Sequence, residues 1–167
     1  SLTLGSIAPD FEQQSTAGTI KFHEWAGKSW GILFSHPKDF TPVCTTELGY
    51  VARIKPDLDK RNVKAIALSV DDVDSHHRWA GDIEETQGTA LNFPVLADAD
   101  RRVATLYGMI HPGASESAAV RAVFLICPQG IVRAIVYYPA NIGRNMDEIV
   151  RLLKAFQTAV KEKVALP

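Results

Sequence analysis

The sequence is poor in cysteine. Only Cys44 and Cys127 occur in 167 residues, and they share no Cys-x-x-Cys spacing. That excludes a disulfide scaffold and leaves a structural zinc site or a thioredoxin-type dithiol unsupported. A reducing compartment, the cytoplasm, fits such usage best. No run approaches the roughly 18 apolar residues of a membrane span, so no membrane partner is expected. The opening Ser1-Leu2-Thr3-Leu4-Gly5-Ser6 lacks the basic start and long apolar stretch of a signal peptide. Charge of one sign is missing too: 18 Lys and Arg stand against 19 Asp and Glu. With no basic stripe, nucleic acid is not an expected partner. Repeats, low-complexity tracts and linkers are absent. The 46% apolar content argues against disorder, and the length suits a single domain over residues 1–167.

What is present reads as strands alternating with helices. Trp30 to Ser35 is a short apolar run, expected as a buried strand. The two prolines of His36 to Pro42 then predict a turn. Thr41 suits an N-cap and Pro42 the first helical position, and Leu48, Val51, Ile54 and Leu58 recur at helical spacing. Pro56 is expected to kink that helix or mark its late end. Val63 to Val70 reads as a second buried strand and Phe93 to Ala97 as a short third. Between them a helix is expected from Asp74, as cap, to Thr86. A short helix is expected over Ala99 to Tyr107. Val120 to Ile126 and Ile131 to Tyr137 flank the turn signal Cys127-Pro128-Gln129-Gly130, which predicts a hairpin. A last helix starts near Asn145, with Glu148 as its capping-box partner. Met146, Ile149, Val150, Leu153, Phe156 and Val160 form its apolar face. The fold class is therefore α/β, a thioredoxin-like architecture with a central mixed sheet flanked by helices.

Cys44 falls in the first turn of the helix that begins at Pro42. Backbone N–H groups there lack intrahelical partners and the helix dipole is positive, and both favour thiolate over thiol. On position alone, a reactive sulfur and an inert core filler are equally consistent. The flanking residues tip the balance. Pro37-Lys38-Asp39-Phe40-Thr41-Pro42-Val43-Cys44 has the form P-x-x-x-T-x-x-C. Thr41 brings a hydroxyl that both donates and accepts. Pro37 offers no N–H and shields the sulfur from water.

This pattern resembles the active-site signature of the peroxiredoxins. The run Phe34-Ser35-His36-Pro37 through Thr45-Thr46-Glu47 is similar to their one-cysteine, peroxiredoxin-6-type branch. Gly5 to Phe11, Ile66 to Asp71 and Tyr138 to Asn145 extend the likeness over nearly the whole chain. The resemblance implies reduction of hydrogen peroxide and organic hydroperoxides without metal, haem, flavin or other cofactor. It implies that Arg121, at the head of Arg121-Ala122-Val123-Phe124-Leu125, faces Cys44 and orients the peroxide. The bland reading is a surface arginine at a strand start. Thr41, Arg121 and the N–H groups of Val43 and Cys44 would hold the peroxide oxygens, and Cys44 would become sulfenic acid. Glu47 and Arg144 resemble a supporting pair that fixes the arginines, against a reading as two unrelated surface charges. His36 matches a family histidine near the sulfur, which either hydrogen-bonds oxidised Cys44 or caps the strand end.

Cys127 is the only candidate for an internal resolving thiol, and its bland reading is a buried spacer. An external reductant is expected instead: a thiol, as in glutathione or a thioredoxin-like protein, or ascorbate. Ser29 and His23 match two members of a lipase triad found in some relatives, but Gln129 stands at the aspartate position, so no lipase is expected. The chain stops at Lys163-Val164-Ala165-Leu166-Pro167, near where relatives continue into a further segment that helps build their dimer. That dimerisation segment is expected to be absent or truncated here. A homodimer or higher ring is expected. The alternative to an enzyme is a peroxide sensor or redox-regulated chaperone that uses Cys44 oxidation as a switch.

Overall fold

The computed structural model describes residues 2–167. Its centre is a seven-stranded mixed sheet in the order β2-β1-β5-β4-β3-β6-β7. The strands are β1 (Glu12–Ser15), β2 (Gly18–Lys21), β3 (Trp30–Ser35), β4 (Val63–Ser69), β5 (Val95–Ala97), β6 (Arg121–Ile126) and β7 (Val132–Tyr138). The helices are α1 (Phe22–Ala26), α2 (Pro42–Lys60), α3 (Val73–Gln87), α4 (Arg102–Leu106) and α5 (Met146–Glu162). Strands β3, β4 and β5 are parallel, joined by α2 and α3. Strand β6 runs antiparallel to β3 and pairs with β7 as the expected hairpin. None of the helices among the described residues is long and apolar enough to cross a membrane.

Side chains alternate between the faces of a strand, so the sheet carries two cores. Ile32, Phe34, Ala65, Ala67, Val123 and Leu125 pack on one face, under Leu48, Leu58, Trp79, Ile83 and Leu153 of α2, α3 and α5. Leu33, Ile66, Leu68, Phe124 and Val132 pack on the other, under Phe22, Val103 and Ala104 of α1 and α4. With helices covering both faces, the central strands are apolar throughout.

Helix α2 starts at Pro42, as predicted, but the Thr41 side chain makes no capping bond. Its hydroxyl lies 3.3 Å from the Lys38 carbonyl and donates there. Pro56 does not end the helix, which continues to Lys60. The Ala52 carbonyl that Pro56 leaves without a donor accepts from Asn92 Nδ2 at 3.0 Å, so a tertiary contact replaces the missing helical bond.

Several expectations are corrected. Asp72, not Asp74, caps α3, accepting from Ser75 N–H at 2.8 Å; Asp74 lies inside the first turn, where its charge suits the dipole. The helix expected over Ala99 to Tyr107 shortens to α4, because Asp98 and Asp100 spend their carboxylates on the N–H groups of residues 102–104. Asn145 caps α5 alone, and Glu148 pairs with Arg151 instead of reaching back. Val160 of the predicted apolar face is exposed, in the last turn of α5. Strands β1 and β2 and helix α1 were not anticipated. Their turn at Thr16-Ala17-Gly18, with Gly18 at φ 87°, was the available signal.

Candidate active site

The parallel strand β3 ends at Ser35, and the chain turns through residues 36–41 into α2. Cys44 is therefore carried to the C-terminal edge of the sheet, in the first turn of α2, and is fully buried. Antiparallel β6 begins at that same edge. The register pairs Phe34 with Val123. Continued two residues, it sets His36 opposite Arg121, and the two-residue period puts both side chains on the face that α2 covers.

Arg121 is not on the surface. It is 3% exposed, and its Nη1 lies 3.1 Å from Cys44 Sγ. The same nitrogen donates to Glu47 Oε1 at 2.7 Å, while Nε donates to the Ala140 carbonyl at 2.9 Å. Glu47 sits one turn beyond Cys44 on α2 and also takes three bonds from Arg144. These come from its backbone N–H at 2.7 Å, Nε at 2.9 Å and Nη2 at 3.0 Å. Arg144 Nη1 donates to the Ala122 carbonyl at 2.7 Å, and its guanidinium lies over the Phe34 ring. Glu47 and Arg144 are thus a buried pair, with Glu47 hydrogen-bonded to both guanidiniums. Burial opposes the charge on Glu47, but hydrogen bonds and charge from Arg144, with Arg121 behind, outweigh it and hold the carboxyl below its usual range. Two guanidiniums against one carboxylate leave one net positive charge beside the sulfur.

Pro37 is half-buried on the turn and Val43 is exposed in the first turn of α2, with Phe40 exposed beside them at φ 66°. Thr45, next to Cys44, accepts from Trp79 Nε1 at 2.9 Å, which ties α2 to α3. His36 is fully buried and its Nε2 meets Asp39 Oδ1 at 2.8 Å. Sequence reasoning passed over Asp39 and His76. Their only signal was position: Asp39 lies inside the signature loop, and His76 lies one helical turn before Trp79. The donor atoms of His36, Asp39 and Asp71 also cluster within 4.8 Å. Those oxygens already accept from His36, His76, Ser69, Ser75 and the Asp39 N–H, so a hydrogen-bond network accounts for the cluster without a cation.

Residues 4–135 match the AhpC/TSA family. The 1-Cys peroxiredoxin of Dictyostelium discoideum is 53% identical over 166 residues, spanning 99% of this chain and 69% of its own length. The chain belongs to the AhpC/TSA family, in its one-cysteine peroxiredoxin branch. Peroxiredoxin-6 of Rattus norvegicus is 47% identical over 174 residues, covering 99% of the chain and 78% of itself. A crystal structure of a cysteine-to-serine mutant of peroxiredoxin 6 from Arenicola marina superposes with a TM-score of 0.94 at 44% identity, over 100% of this chain and 79% of its own. A structure of the yeast mitochondrial 1-Cys peroxiredoxin gives 0.92 at 44% identity, over 100% and 82%. This peroxiredoxin is a thiol peroxidase on a thioredoxin-like fold.

Its second cysteine lies elsewhere. Cys127 follows β6 at the end opposite Arg121, six residues or about 20 Å along the strand. A disulfide needs Cα atoms within about 7 Å, so Cys127 does not reach Cys44 in this fold. Ser29, His23 and Gln129 line one cavity of about 280 Å³ at that far edge. Ser29 Oγ donates to Asn62 Oδ1 at 3.1 Å, and His23 Nε2 lies 2.6 Å from the Ala8 carbonyl. Serine and histidine are each committed to other partners, and the carboxylate nearest the histidine is Asp10, with Oδ2 3.9 Å from His23 Nδ1, while position 129 offers only an amide.

Proposed function

We propose that Cys44 is the attacking sulfur and that Arg121, Thr41, Pro37 and the N–H groups of Val43 and Cys44 form the peroxide site. The observation that carries this reading is the 3.1 Å approach of the Arg121 guanidinium to a buried sulfur at a helix N-terminus. The thiolate attacks the nearer oxygen of R–O–O–H, an S–O bond forms as the O–O bond breaks, and the products are Cys44–S–OH and RO⁻. Arg121 and the first-turn N–H groups stabilise the negative charge as it moves to the departing oxygen, which then takes a proton from water. Hydrogen peroxide and organic hydroperoxides are the substrates. Glu47 and Arg144 hold Arg121 in line, and His36 receives the hydroxyl of the oxidised sulfur.

Recycling falls to an external thiol: attack at the sulfenic sulfur releases water, and a second thiol frees Cys44. The yeast relative is described as resolved through glutathione and thioredoxin systems. Glutathione or a thioredoxin-like protein therefore comes first here, with ascorbate as the non-thiol candidate. The two free, buried cysteines suit a reducing compartment, the cytoplasm. All seven strands share one sheet, which supports reading residues 1–167 as one peroxiredoxin domain. Edge strand β7, with Tyr137 exposed, offers unpaired backbone for a homodimer, with a ring as the higher assembly. A sensor or chaperone role for Cys44 is not favoured. The deciding measurement is peroxide consumption with excess thiol. The wild type cycles, Cys44→Ser does not, and turnover retained in that variant would end the assignment.

A further inference from the structure

Behind the sulfur lies a polar cluster with no part in peroxide binding. His36, Asp39 and His76 are all at most 1% exposed. His76 Nε2 faces the Leu96 carbonyl at 2.9 Å and its Nδ1 faces Asp39 Oδ2 at 2.5 Å. Asp39 Oδ2 also accepts from Ser75 Oγ at 3.0 Å, and Oδ1 meets His36 Nε2 at 2.8 Å with Ser69 Oγ at 3.3 Å. A carboxyl surrounded by that many donors is ionised. Burial opposes its charge, but the bonds from His36 and His76 outweigh burial and hold Asp39 far below its usual range. A carbonyl and a carboxylate both accept only, so both nitrogens of His76 carry protons.

His36 is the other end of the array. Its Nε2–H points at Asp39, and its Nδ1 is buried without a partner. Burial keeps the ring neutral despite Asp39, with His76 and Arg144 adding like charge nearby. Nδ1 is therefore a bare acceptor, beside Arg121 in the strand register. Among the described residues no hydrogen-bond partner meets it.

We propose that Asp39 and His76 are positioning residues which fix His36 with its proton on Nε2 and keep its Nδ1 a weak base, so that Nδ1 accepts a hydrogen bond from Cys44 sulfenic acid without taking its proton. The proposal rests on the reading of Cys44 as the oxidised sulfur with His36 beside it. The proton matters because the sulfenic acid has two fates. With the proton in place, thiol attack at sulfur expels the oxygen as water. Without it, sulfenate attacks a second peroxide: Cys44–S–O⁻ + H–O–O–H gives Cys44–SO₂⁻ + H₂O, the irreversible rung. The His76 cation offsets the Asp39 anion. Removing that cation leaves the full negative charge on His36, which makes Nδ1 basic enough to strip the hydroxyl.

Nitrogen-15 NMR of the full chain labelled at histidine reads the arrangement directly. Two protonated nitrogens on His76 and a single Nε2–H on His36 at neutral pH are expected. A neutral His76, or a proton on His36 Nδ1, overturns the proposal. His76→Gln is expected to raise the sulfinic acid formed per turnover severalfold, by mass spectrometry at matched peroxide, and adding His36→Gln to cancel the rise. An unchanged yield in folded His76→Gln, or a rise that survives in the double variant, also overturns it. Failure of the underlying reading shows separately, as turnover in Cys44→Ser, whatever the histidine spectrum.

Discussion

Replacing Arg121 with lysine keeps a positive charge at the sulfur and removes the fork. The guanidinium makes three contacts at once: Nη1 to Cys44 Sγ at 3.1 Å and to Glu47 Oε1 at 2.7 Å, and Nε to the Ala140 carbonyl at 2.9 Å. An ammonium on a flexible stem cannot hold these directions together. Attracted to Glu47, it leaves the transferring oxygen without its aimed donor. One such donor is worth about 2.7–4 kcal/mol, or about 10²–10³ in rate. Arg121→Met removes the charge as well and is expected to be slower still. Folding should survive both changes, because Glu47 keeps its three bonds to Arg144. Each charged hydrogen bond lost costs roughly 1.5–3 kcal/mol, and Arg121 makes two to oxygen, at Glu47 and at the Ala140 carbonyl. The assay is stopped-flow oxidation of Cys44 by hydrogen peroxide and by an organic hydroperoxide, with thermal melting as the control for folding. An Arg121→Lys protein that melts cooperatively and oxidises within about twofold of wild type would refute the reasoning, since charge alone would then suffice.

Glu47→Gln should destabilise most above about pH 5, where the wild-type carboxylate is ionised in both folded and unfolded chains. Its folded value is depressed, so its contribution fades as pH falls through that value, and urea unfolding should show the two proteins converging in acid. Gly143→Ala would place a Cβ 2.8 Å from Val43 Cγ1, against the first turn of α2. Cys44 oxidation should slow, by up to about 10²-fold if the turn shifts by an ångström, with a normal far-ultraviolet spectrum. Cys127→Ala should leave peroxide turnover unchanged, and one equivalent of peroxide should give no internal disulfide on non-reducing electrophoresis.

The local architecture around Cys44 was legible in the order of its residues. A run of apolar residues, two prolines and a helical repeat are enough to set a strand, a turn and a helix start, because each reflects backbone geometry within a few residues. Strand periodicity puts Arg121 on one face with Val123 and Leu125, but both faces of that strand are buried, so it does not say which face that is. Tertiary structure alone decided that this face meets Cys44, since 77 residues separate them and only the pairing of β6 with β3 brings them to one edge. It also decided which carboxylate answers which charge. Glu47 finds Arg144 across 97 residues, and Asp39 binds His76 across 37. No local pattern encodes either, because a buried charge is placed by whatever partner packing delivers to it.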